Sequence, residues 1–150
     1  MNNSSTIAHD KALEYILAGN STFTLRSKTT GARFTYKAIY KKYFGEDIVV
    51  VKLLNGTDNV NDYGYLCTIK IIDGVPKIIR DKSRISATAK SFVIFDMVFF
   101  KLLVGLEMNN LEIWHEGVCC RCGRKLTVPE SIQSGIGPEC ATKTSMFKIW

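Results

Sequence analysis

The stretch Arg33-Phe34-Thr35-Tyr36-Lys37-Ala38-Ile39-Tyr40-Lys41 alternates with a period of two. Phe34, Tyr36, Ala38 and Tyr40 fall on one side. Arg33, Thr35, Lys37 and Lys41 fall on the other, and only Ile39 breaks the polar side. Successive side chains of an extended chain point to opposite faces, so the stretch reads as a strand with one buried and one solvated face. Upstream, Phe23 and Leu25 alternate with Thr22, Thr24 and Arg26, and Lys28-Thr29-Thr30-Gly31 supplies a turn. The two strands form a hairpin. Phe34, Tyr36 and Tyr40 could be platforms for nucleobases, but they share a face with Phe23 and Leu25, which favours a core role. The polar face carries Arg26, Lys28, Arg33, Lys37, Lys41 and Lys42. It could follow a phosphate backbone, yet antiparallel sheets carry such a solvated face without any ligand.

Downstream, Ile48 to Leu54 is almost continuously apolar and predicts a central strand covered on both faces. Asn55-Gly56 opens a polar loop through Asp62, whose ligand order does not match a calcium-binding loop. Tyr63 to Ile72 predicts another strand, with Tyr63, Tyr65, Cys67, Ile69 and Ile71 on its inner side. Asp73-Gly74 is a two-residue hairpin turn, and Pro76 confines the short strand around Lys77–Ile79 to a sheet edge. Arg80, Lys82 and Arg84 form a second basic cluster in the loop that follows.

Two segments read as helices. Ile7 to Ala18 places Leu13, Ile16 and Leu17 at helical spacing and stops at Gly19-Asn20. Thr88 to Leu106 is apolar around most of its circumference, which predicts a long helix buried on several sides. Asp96 and Lys101 interrupt it and argue against a membrane span. The fold class expected is α+β: an antiparallel sheet of about four to five strands packed on a long buried helix, with a C-terminal zinc-knuckle module. The core domain would occupy residues 1–110 and the module residues 111–150.

Chemistry concentrates in that module. Cys119 and Cys122 are spaced to bind one ion from a tight turn closed by Gly123, and Cys140 arrives after the bend Gly135-Ile136-Gly137-Pro138. Three thiolates and an imidazole suit tetrahedral, structural Zn²⁺. His115 is the nearest fourth ligand, with Cys67 and Cys120 as the other candidates. The polar start of the chain and its odd count of five cysteines favour reduced thiols in a cytoplasm over disulfides.

The run Cys119-x-x-Cys122-Gly123-Arg124-x-Leu126, then Pro129-x-Ser131, then Gly135-x-Gly137-Pro138-x-Cys140, resembles an uncharacterised domain-of-unknown-function family. That family is scattered through bacteriophage and bacterial genomes. The resemblance implies a small phage or prophage protein in a bacterial cytoplasm, and it implies no activity.

A chain of 150 residues is long enough for one domain with a real core. Its net charge of +6 favours polyanionic partners. With two histidines, no nucleophile elbow and no phosphate-binding glycine loop, no catalytic constellation stands out. His115 and Glu116 are in the wrong order and spacing for a zinc deaminase. The sequence therefore points to a non-enzymatic module that binds DNA or RNA. Arg121, Arg124 and Lys125 of the knuckle, with Arg80, Lys82 and Arg84, are the candidate contacts. The alternative is a phage protein that binds and blocks a host defence protein or complex through the apolar helix and tail.

Overall fold

The structure, a computed structural model, describes residues 6–56, 62–80 and 83–115. The elements in chain order are α1 (His9–Ile16), β1 (Asn20–Ser27), β2 (Arg33–Tyr43), β3 (Glu46–Leu54), β4 (Tyr63–Ile72), β5 (Val75–Ile79), α2 (Lys90–Val104) and β6 (Leu111–His115). The strands form one six-stranded antiparallel sheet in the order β5-β4-β3-β2-β1-β6, curled into a half-barrel.

The hairpins follow from local chemistry. Asp73 and Gly74 both have positive φ, 54° and 78°, which is the backbone of a two-residue turn matched to strand twist. Phe44 and Gly45 make the same turn between β2 and β3, with φ of 48° and 80°. A phenylalanine is an unusual occupant of that position, where Asn, Asp or Gly is the rule. β3 is central, and Pro76 lies on the edge strand β5, opposite Ile71.

The alternating register of β1 and β2 holds. Phe23 faces Tyr36, Leu25 faces Phe34, and Thr22 faces Lys37. Phe23, Leu25, Tyr36, Ala38, Val49 and Val51 are buried on the inner side. Phe95 of α2 meets this layer, its ring centroid 5.3 Å from Tyr36 and 6.3 Å from Phe23. The Tyr36 hydroxyl donates to the Ser91 carbonyl at 2.7 Å, which satisfies the polar end of a buried ring. Helix α1 adds Ala12, Tyr15 and Ile16 to the same core.

The expected α+β architecture with a long helix buried on several sides is overturned. The described residues are mostly β, with six strands and two short helices, of 8 and 15 residues. The apolar run over residues 88–106 is two stripes rather than one enclosed cylinder. Phe92, Phe95, Val98 and Phe99 are buried, while Val93, Met97, Phe100 and Val104 are exposed. The sixth strand is β6, over a stretch whose residues 111–114 read in the sequence as a short strand that delivers His115. Its five residues pair along β1 from Ser27–Leu111 to Phe23–His115. Residues 111–115 of the expected module thus lie within the sheet.

Candidate nucleic-acid interface

The outer face of the sheet is assembled by register. Lys37 of β2 pairs with Thr22 on one side and with Lys52 of β3 on the other. Lys52 in turn faces Tyr65 of β4. A second row runs Lys41, Ile48, Lys70 and Lys77 across β2 to β5. Neighbours in such rows stand about 5 Å apart, so each row is a continuous strip.

The tyrosines reach this face through a β-bulge. Val51 pairs with Cys67, but the next pair is Lys52 with Tyr65, which leaves Leu66 as an extra residue on β4. One extra residue reverses the phase of everything before it. Tyr65 and Tyr63 therefore stand with Lys52 and Leu54 on the outer side, while Cys67 and Ile69 stay inside. The expected inner placement of Tyr63 and Tyr65 is corrected for that reason. Leu66 is apolar where strict alternation assigns an outward position, and in the structure residues 66–69 are all buried.

Two contacts fix the tyrosines. The Lys37 ammonium lies 4.7 Å from the centroid of the Tyr63 ring. The Tyr65 hydroxyl shares a hydrogen bond of 2.7 Å with the Thr68 hydroxyl. Two carboxylates pair with cations here: Glu112 holds Arg26 at 2.5 Å, and Glu46 lies 3.6 Å from Lys70. Trp114 of β6 pairs with Thr24, which sets its indole on the outer face at the opposite edge. Its N–H is buried with no acceptor among the described residues.

Of the basic cluster expected after β5, Arg80 and Arg84 are among the described residues. Arg80 folds back: its guanidinium donates to the Ser83 hydroxyl at 3.0 Å and to the Ile85 carbonyl, and it stacks 4.2 Å over the Phe92 ring. Its role is to tie the loop before α2 to the helix. Arg84 is exposed, and Lys82 lies outside the described residues.

Of the expected metal ligands, His115 ends β6, buried beside Tyr15 with ring centroids 6.1 Å apart. Cys119, Cys122 and Cys140 lie outside the described residues, as do Cys120, Arg121, Arg124 and Lys125. Cys67 sits in the sheet core opposite Val51, and burial pushes its thiol up to about 12. Strands β3, β2 and β1 separate it from β6, on the order of 19 Å along the sheet. Cys67 and His115 thus do not share an ion. Among the described residues no cluster of three or more His, Cys, Asp or Glu side chains is placed to hold a metal. No helix among them is long and apolar enough to cross a membrane.

No curated protein and no solved structure matches the chain. Residues 114–145 match a family of unknown function (DUF6011), a segment that spans the cysteine motif and begins within β6.

Proposed function

We propose that the chain is a non-enzymatic protein that binds single-stranded DNA or RNA across the outer face of its sheet. The observation that carries the reading is the Leu66 bulge, which adds Tyr63 and Tyr65 to a face already lined by Lys37, Lys52, Lys41, Lys70 and Lys77. Lysines track the phosphates, and aromatic rings stack on bases that a single strand leaves uncovered. A duplex hides those bases, so its contacts would be limited to the lysines.

The C-terminal module completes the reading. Cys119, Cys122 and Cys140 with His115 form a donor set suited to a structural Zn²⁺, whose chemistry is to pin the chain rather than to react. His115 supports this as a buried imidazole held at the end of a strand. Arg121, Arg124 and Lys125 lie between or next to the ligands in the sequence and add positive charge to the module. The cysteine motif also supports a phage-type protein at work in a bacterial cytoplasm.

Fluorescence anisotropy with a labelled oligothymidine and a duplex of equal length tests the proposal. The single strand should bind more tightly, with affinity that falls linearly in the logarithm of salt. Absence of binding at low salt, or a preference for the duplex, overturns it.

A further inference from the structure

We propose that the exposed side of α2 is a self-association surface, on which two copies of the chain pack their α2 helices in parallel about a two-fold axis. This does not depend on the nucleic-acid reading. Val93, Met97, Phe100 and Val104 are exposed by 49%, 46%, 58% and 54%, although each is apolar. They recur at intervals of four, three and four residues. That is the d-a-d-a seam of a coiled coil, and it lies opposite the stripe that buries Phe92, Phe95 and Phe99. Leu106, 52% exposed, extends the apolar surface just past the glycine cap.

Charge identifies the occupant. With Met97 at a and Phe100 at d, Asp96 stands at g and Lys101 at e, one on each flank of the seam. In a parallel pair, a g residue meets the e residue five positions later on the partner. Asp96 then meets Lys101 of the other copy, and symmetry makes the contact twice. In an antiparallel pair, g meets g and e meets e, so Asp96 would face Asp96 and Lys101 would face Lys101. The flanking charges therefore match a second, parallel copy of this same helix. The seam is short, which sets a weak, concentration-dependent dimer rather than an obligate one.

Sedimentation equilibrium on the full chain across a concentration series is the test. The mass should rise from 16.8 kDa toward twice that value. Phe100→Glu should hold the chain at the monomer mass with an unchanged circular dichroism spectrum, because Phe100 takes no part in the core. Asp96→Lys should raise the dissociation constant about tenfold, and adding Lys101→Asp should restore it to within about threefold. A wild-type chain that stays monomeric at hundreds of micromolar overturns the proposal. That result would mean that another segment of the chain or a different protein covers the face. A Phe100→Glu chain that still dimerises also overturns it, and failure of the double charge swap to restore association overturns the parallel arrangement.

Discussion

The ammonium of Lys37 on β2 lies 4.7 Å from the centroid of the Tyr63 ring on β4, reaching across the intervening strand β3. Without the extra residue Leu66, Tyr63 would turn to the core side and the contact could not form. The bulge therefore decides whether the basic face has aromatic rings on it. Tyr65→Ala should weaken oligothymidine binding about tenfold, the worth of one lost stack. Lys37→Ala should instead reduce the salt slope by about 0.7, the value of one phosphate contact on a single strand. Anisotropy titrations at several salt concentrations separate the two effects. Equal losses of slope in both variants would contradict the division of roles.

Phe44 tips the β2–β3 hairpin with φ of 48° and is 89% exposed, its ring edge-on to Tyr43 at 4.4 Å. A left-handed backbone costs a side chain with a bulky Cβ substituent about 1 kcal/mol, and little burial offsets it here. Phe44→Asn should stabilise the fold by about 1 kcal/mol, since Asn is at home in this turn. Urea denaturation checks it. A lower midpoint in the variant would show that the Tyr43–Phe44 ring contact outweighs the backbone cost.

Much of the sheet is legible in the sequence because alternation and turn chemistry agree. The Phe23–Tyr36 pairing, the Asp73–Gly74 turn and the edge position of Pro76 all follow from local rules. Three features escape for physical reasons. The bulge is a one-residue change of phase, and Leu66 resembles an ordinary strand residue. The strand β6 is short, and its pairing with β1 is set by tertiary contacts rather than by composition. The two stripes of α2 look like one apolar cylinder until it is known what covers each side. The candidate site is split in the same way. Its lysines are visible in the alternation of residues 33–41, while its tyrosines become visible only through register.

Stability should fall in alkali. Burial raises the Cys67 thiol from an ordinary value of 9.0 to about 12, and burial also raises the Tyr36 hydroxyl. Above pH 9 the unfolded chain loses the thiol proton while the folded chain keeps it. The unfolded state then binds fewer protons, so stability declines as pH rises between about 9 and 12. The slope is up to about 1.4 kcal/mol per pH unit from this one group. Cys67→Ala should flatten that part of the curve, at the cost of a lower plateau from the cavity it leaves. Denaturation midpoints at a series of alkaline pH values provide the measurement, and an unaltered slope in the variant would refute the assignment.

The same thiol separates the candidate metal ligands. Cys67 is walled into the sheet with three strands between it and β6, which places it out of reach of an ion held at His115. His115 ends the strand that leads to Cys119. Elemental analysis of the purified chain should find one zinc per molecule, and Cys67→Ala should keep it. Cys119→Ser should release it. His115→Ala should weaken retention against a competing chelator by at least about tenfold. Because His115 also packs against Tyr15 beneath β1, its removal carries a second cost in fold stability. His115→Cys distinguishes the two roles, since a thiolate can replace the imidazole at the metal but not its packing. Zinc retention restored in that variant, with the unfolding midpoint still lowered, would identify His115 as the fourth ligand. Retention unaffected by either His115 variant would leave Cys120 in that role.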